Sequence, residues 1–325
     1  MTRRSSTKPT TRTDVHQAVT DRIIAMLETA QASGGELPWC RPGIAHSRPT
    51  NVLSKKPYAG INILTLWATA ATANYRTGLW ATYKQWLELG AQVRKGESAT
   101  PIIFYKPIEV ADDGDAGDAT GAHSGGEGNR TIRMIKGYWG FNADQVDGHA
   151  LPAEPTTSLV KRIAHAEAFF ANIGVTIRHG GAQAYYRPSE DAIQMPEAKL
   201  FRNTASSSAT EGYYAVLGHE AGHATGARHR LDRDLSGRFG SASYAMEELV
   251  AELTAANLCA DLRITAQPRA DHSHYIANWL QVLKGDKTAV FTAAAAAHKA
   301  AEYLHACQRI TADPELETQS LEVQS

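Results

Sequence analysis

The segment LGHEAGHATGARH, residues 217–229, constrains this chain more than any other. His219 and His223 stand four residues apart, so on a helix both imidazoles leave the same face and can share one metal ion. Glu220, one step round the helix, is placed to take a proton from a water activated by that ion and to pass it on. The neighbouring residues supply the helix: Val216, Leu217, Ala221 and Ala224 give it buried sides, and Gly226 stands near its end. A catalytic zinc site needs three protein ligands and an open position. The fold therefore has to bring a third ligand to this helix.

Two residues are candidates. His229 completes the spacing HExxHxxGxxH of the metzincin proteases, with Gly226 turning the chain back toward the metal. Glu248 lies in SYAMEELVAELTAANLCADL, residues 243–262, a stretch without Gly or Pro that reads as a long helix with Leu249, Ala256 and Cys259 on its buried face. Glu248 and Glu252 lie four apart on one side of that helix, an unfavourable pair unless something positive or protic faces them. A metal ion would answer to Glu248, and the second ring nitrogen of a ligand histidine would answer to Glu252. A metzincin also requires a methionine turn beneath the metal. Met246, the only methionine after the motif, falls inside the predicted helix. His229 is flanked by Arg228 and Arg230, a poor setting for a cation, which favours Glu248 and a gluzincin-like site. Tyr244 and Tyr214 are both candidates for an oxyanion donor.

The chain resembles the ArdC-type antirestriction proteins, a family carried mainly on conjugative plasmids. In the C-terminal half the resemblance lies in DAIQMP (191–196), YYAVLGHEAGHATG (213–226), RLDRD (230–234), FGSASYAMEELVAEL (239–253) and YIANWLQVLKGD (275–286). In the N-terminal half it lies in DVHQAVTDRIIAMLE (14–28), PW (38–39), YAGINILTLW (58–67), LWATYKQWLELGAQVRKGE (79–97) and FNADQVDG (141–148). His229 departs from it, standing where the family pattern calls for a small polar residue. The resemblance implies an α+β protein with a single-stranded-DNA-binding domain followed by a zincin-like metallopeptidase domain, and a role in protecting incoming DNA from restriction. It further implies His219, His223 and Glu248 as metal ligands and Glu220 as the catalytic glutamate.

A length of 325 residues suits two domains with room for two separate cores. No run approaches the length of a membrane span. The N-terminus lacks the apolar stretch of a signal peptide, and three scattered cysteines, Cys40, Cys259 and Cys307, make no disulfide framework. The expected location is the cytoplasm. Residues 1–110 carry 14 Lys and Arg against 7 Asp and Glu, the electrostatic footprint of a nucleic-acid partner.

Along the chain, 1–13 reads as a disordered basic arm, and 14–150 as the first domain. Helices are predicted over 14–31, 61–74 and 82–90, and strands over 100–110 and 131–142 flank a Gly- and Asp-rich disordered insert at 111–130. The second domain, 151–311, is predicted to hold a helix over 158–174, three short strands with AYYRPSEDAIQMP as a hairpin, the motif helix, the 243–262 helix and two more helices; residues 312–325 form a frayed tail. Zincin sites sit beside a sheet edge to which a peptide can add as a strand.

Single strands are held by aromatic faces inside a basic groove. Tyr83, Trp80, Lys84, Arg94 and Lys95 form one candidate set, with Lys55 and Lys56 in a second; Trp80 and Trp86 also fit a plain core role. No helix-turn-helix or zinc-finger signature is present. The expected cofactor is one Zn2+ per chain, with another divalent ion as the alternative. The expected partners are single-stranded DNA and a protein or peptide substrate. Two other functions fit the residues: a protein that coats single strands and acts by occlusion with an idle metal site, and a housekeeping zinc protease whose basic half binds an acidic partner.

Overall fold

Val19, Ile23, Leu27 and Ala30 recur at helical spacing and form the buried side of α1 (Val15–Ala32), which starts on the Asp14 carboxylate as it accepts from the His16 and Gln17 backbone N–H groups. A computed structural model describes residues 14–32, 37, 48–110, 130–150, 158–204, 207–238, 240–264 and 272–310. The basic arm 1–13, most of the 111–130 insert, residues 151–157, the tail 312–325, and Trp39 and Cys40 lie outside the described residues. Arg130, assigned to the insert from the sequence, is already the first residue of a strand.

The first half contains β1 (Thr50–Asn51), α2 (Ile61–Ala73), β2 (Leu79–Thr82), α3 (Tyr83–Glu88), β3 (Gln92–Val93), β4 (Thr100–Val110), β5 (Arg130–Asn142) and β6 (Val146–Asp147). One sheet runs β1-β2-β5-β4, parallel only between β1 and β2, and β3 pairs with β6 in a small second sheet. Thr82 starts α3 with a capping box closed by Gln85, so strand passes into helix without a loop.

The second half contains α4 (Leu159–Ala171), β7 (Thr176–His179), β8 (Tyr185–Arg187), β9 (Ala192–Met195), α5 (Ala209–Ala224), α6 (Ala242–Leu262), α7 (His272–Gly285) and α8 (Ala289–Ile310). Its sheet has the order β7-β9-β8; the predicted hairpin is the antiparallel pair β8–β9. Against it lies α5, which α6 approaches closely because Gly218 and Gly222 present no side chain at their crossing. A Cβ at Gly222 would stand 2.9 Å from the Ala251 Cα.

The interior does not divide into two cores at residue 150. One hydrophobic cluster takes in α1, α2, Ile102 and Ile103 of β4, and α4 through α8. The reason is α1, whose apolar stripe has to be covered and which lies on α7, where Ile276, Trp279, Leu280 and Leu283 are buried. Its start is tied there too: Lys287 Nζ is 2.5 Å from Asp14 Oδ2 and the Thr20 hydroxyl donates to the Lys287 carbonyl at 2.7 Å. A smaller cluster around Trp86, Val93 and Val146 fills the space under β3 and β6. Among the described residues, no helix is long and apolar enough to cross a membrane.

Candidate metal centre

The motif helix α5 opens on Ser208, whose hydroxyl accepts from the Glu211 N–H while the Glu211 carboxylate accepts from the Ser208 N–H. That fixes the angle at which the histidines arrive. Helix α6 opens on Ser241, whose hydroxyl accepts from the Tyr244 N–H, and brings Glu248 and Glu252, both buried, against α5. Two buried carboxylates are costly without partners, and α5 supplies them.

The Nε2 atoms of His219 and His223 lie 3.1 Å apart. Glu248 Oε2 is 3.3 Å from the first and Oε1 is 3.5 Å from the second. A tetrahedral ion with bonds of about 2.0–2.1 Å holds its donors roughly 3.3 Å from one another, so these three side chains fit one metal ion. Each histidine has a carboxylate on its far side. His219 Nδ1 is 3.5 Å from Glu252 Oε2, and His223 Nδ1 is 3.3 Å from Glu247 Oε1. Burial by itself would lower the His223 pKa, but hydrogen bonds to Glu247 and Glu248 and the nearby Glu220 charge outweigh it and push it up to about 10. Against the same burial, hydrogen bonds to both histidines hold Glu248 well below the usual carboxylate range. Negative charge gathered round two imidazoles is the electrostatics of a cation site.

The site opens into a cleft of ≈ 290 Å³ lined by His219, Glu220, His223, Tyr185, Tyr186 and Tyr244 among others. Strand β8 ends its sheet, with one side unpaired among the described residues, and two of its residues line this cleft. Of the two tyrosines considered as oxyanion donors, Tyr244 lines the cleft, its hydroxyl 3.3 Å from that of Tyr275. Burial first, then the Tyr275 contact and the neighbouring Glu248, raise the Tyr244 phenol, so it keeps its O–H. Tyr214 instead stacks on Phe170 in the core.

His229 is not brought to this cluster. It is 61% exposed, and its Nε2 lies 3.2 Å from Asp191 Oδ2. The turn at Gly226 returns a different residue: Arg233 N–H donates to the Gly226 carbonyl, and its guanidinium grips both oxygens of Glu247 at 2.8 and 2.9 Å. The intervening Arg230, its side chain 4% exposed, holds Asp191 through both oxygens. Sequence reasoning missed the pair Glu247–Arg233; the one available signal was the RLDRD segment itself. Cys259 is a buried core residue, its thiol pushed up by desolvation.

The nucleic-acid candidates scatter. Tyr83, Arg94 and Lys95 meet on one shallow cleft, but Lys84 and Lys55 line no part of it, and Lys56 lines another cavity. Trp80 must be corrected: it is 0% exposed in the core, packed edge-on against Tyr75, and offers no face to a base. The reason is its strand, β2, which lies inside the sheet between β1 and β5. Arg94 is bound to Glu97 and Asp147 of its own fold, which raises its pKa and uses its charge internally. Phe104, Tyr138 and Trp139 on β4 and β5 are exposed aromatic residues that periodicity did not single out.

A motif helix and a glutamate-bearing helix converging on one such cluster define a zincin-like metallopeptidase domain, and the family model of that description matches residues 164–296. A second model, the N-terminal domain of anti-restriction factor ArdC, matches residues 13–141. The chain belongs to the ArdC antirestriction family. The crystal structure of the antirestriction ArdC protein from the R388 plasmid in its metal-free state superposes with a TM-score of 0.70 at 37% identity, over 91% of this chain and 98% of that one. Its Mn(II)-bound structure gives 0.68 at 38% identity, with the same shares of the two chains. Uncharacterized protein y4eC of Sinorhizobium fredii is 49% identical over 302 residues, which is 92% of this chain and 94% of that protein. The DNA primase TraC of Escherichia coli is 36% identical over 319 residues; the match takes in 94% of this chain but only 28% of the primase.

Proposed function

We propose that this chain binds single-stranded DNA and carries a zinc-dependent peptidase centre, and that it thereby protects incoming conjugative plasmid DNA from host restriction. The observation that carries the peptidase reading is the spacing of 3.1, 3.3 and 3.5 Å among the His219, His223 and Glu248 donor atoms beside a cleft reached by Glu220. Zinc bound there would polarise a scissile carbonyl and acidify a water molecule. Glu220 removes the proton of the attacking water and returns it to the leaving amine. Tyr244 donates its O–H to the carbonyl oxygen as charge develops there. The free side of β8 takes the substrate backbone as an added strand and so fixes the scissile bond over the cleft. Glu252 and Glu247 orient the two histidines. The DNA reading is supported by the positive first 110 residues and by likeness to a DNA primase.

The test is metal content, peptidase activity, single-strand affinity and protection of transferred DNA, measured on wild type, Glu248→Ala, His229→Ala and Glu220→Gln. Glu248→Ala is expected to lose its zinc. Glu220→Gln should keep the metal and lose about 10²–10⁴-fold in peptide cleavage. His229→Ala should match wild type. Full protection by Glu220→Gln would show that cleavage is dispensable and favour occlusion of the strand. Loss of metal from His229→Ala would move the third ligand.

A further inference from the structure

A cavity of ≈ 890 Å³, larger than the cleft over the histidines, lies elsewhere on the chain. It opens between residues 51–62, β4 and α8, and its walls include Lys56, Phe104, Gln85, His298 and Lys299. Phe104 is 47% exposed although its neighbours Ile102 and Ile103 are buried, so the strand presents a benzyl ring to water at this point. Tyr138 buttresses it edge-on at 5.2 Å. Lys136 stands opposite Phe104 across the ladder, with its ammonium 5.2 Å over the Tyr138 ring. Lys56, Lys136 and Lys299 are exposed, and none is ion-paired among the described residues. Among the described residues Glu302 is the only carboxylate in the wall, 3.5 Å from His298. Two side-chain amides line the same cavity and are bonded to one another: Asn51 Nδ2 lies 3.1 Å from Gln85 Oε1 and 3.2 Å from the Tyr58 hydroxyl.

We infer that this cavity is where an unpaired stretch of DNA lies, a base stacked on Phe104 and its phosphates beside Lys56, Lys136 and Lys299. The inference rests on the single-strand reading above and gives it a location. An exposed ring selects single strands because a base within a duplex already has neighbours on both faces, whereas an unpaired base has a face to give. Unpaired ammonium groups round an apolar ring suit a ligand that is flat and apolar in one part and anionic in the next, which a nucleotide chain is. Because Lys299 belongs to α8, the strand would touch both halves of the chain, and the N-terminal half alone would hold an incomplete groove.

The experiment is fluorescence anisotropy of a labelled thymidine homo-oligonucleotide with full-length wild type, Phe104→Ala, Lys299→Glu, Lys299→Arg and Tyr83→Ala, repeated over a salt series. Phe104→Ala is expected to bind roughly 5- to 150-fold more weakly, the range for losing one stacked base. Lys299→Glu should bind more weakly, with a salt slope shallower by about 0.7, the value for one phosphate contact on a single strand. Lys299→Arg and Tyr83→Ala should bind as wild type does. Both substituted side chains, Phe104 and Lys299, are exposed, so unchanged thermal midpoints separate lost binding from lost fold. If Phe104→Ala and Lys299→Glu bind normally while Tyr83→Ala fails, the strand runs over the Tyr83–Lys95 cleft; the location is overturned and single-strand binding stands. If wild type binds no oligonucleotide, both fall.

Discussion

Glu247 and Glu248 are adjacent in the chain and do different work. Glu248 turns its carboxylate to both Nε2 atoms, while Glu247 reaches Nδ1 of His223 from the other side and is itself clamped by Arg233. The clamp holds Glu247 ionised: hydrogen bonds from Arg233 and His223 outweigh burial and keep its pKa below the ordinary value. An ionised Glu247 fixes the His223 ring with Nε2 facing the cluster. Glu247→Gln and Glu252→Gln are each expected to weaken metal affinity by about 10–100-fold while leaving the ligands in place, as measured by competition with a chromophoric chelator. Unchanged affinity in both would mean that α5 alone orients the rings. From the sequence the histidines and Glu220 were legible because their geometry is local to one helix. Glu248 was legible because four-residue spacing put it beside Glu252. Glu247 was not, since its role depends on where the Gly226 turn delivers Arg233, nine residues after the helix ends.

The crossing of α5 and α6 decides whether the centre forms at all. Glycine at 218 and 222 is what lets the two backbones meet, and Glu248 lies less than a turn from Ala251, the point of closest approach. Gly222→Ala would drive a methyl group into backbone that has no side chain to move aside. The expected cost is about 1–3 kcal/mol of stability, with a drop in metal affinity as α6 is pushed outward. Chemical denaturation with and without metal reads both effects, and a substitution that leaves both unchanged would place the contact elsewhere. The helices themselves were legible, from α1 through α8: α1 and α4 show an apolar stripe, α5 carries the histidine motif, and α6 is a long run without Gly or Pro. The faces of β4 were not. TPIIFY offers no polar alternation, so nothing in the segment distinguishes exposed Phe104 from buried Ile102 and Ile103. Trp80 was misjudged as a stacking ring for a related reason: an aromatic residue next to charges can face either way, and its strand turned out to lie inside the sheet.

At the scale of the molecule, a single interior joins the two family-matched segments. A chain begun at residue 151 would lack α1 and α2 and would uncover the Trp279 side of α7 together with apolar parts of α8. Such a fragment is expected to aggregate or to melt well below the full chain, whereas the full chain should lose α1 and the motif helix in one transition. Calorimetry of both tests this, and two separated transitions in the full chain would argue for independent cores. The docking of α1 on α7 also has a consequence in time. At ribosomal rates of about 5–20 residues per second, α1 emerges on the order of 10–50 s before α7 is complete. Throughout that interval its stripe of Val19, Ile23 and Leu27 lacks its cover from α7 and has α2 alone of its two helical neighbours. During synthesis the apolar side of α1 that α7 covers stays open to solvent, and so to other chains, until α7 has been made.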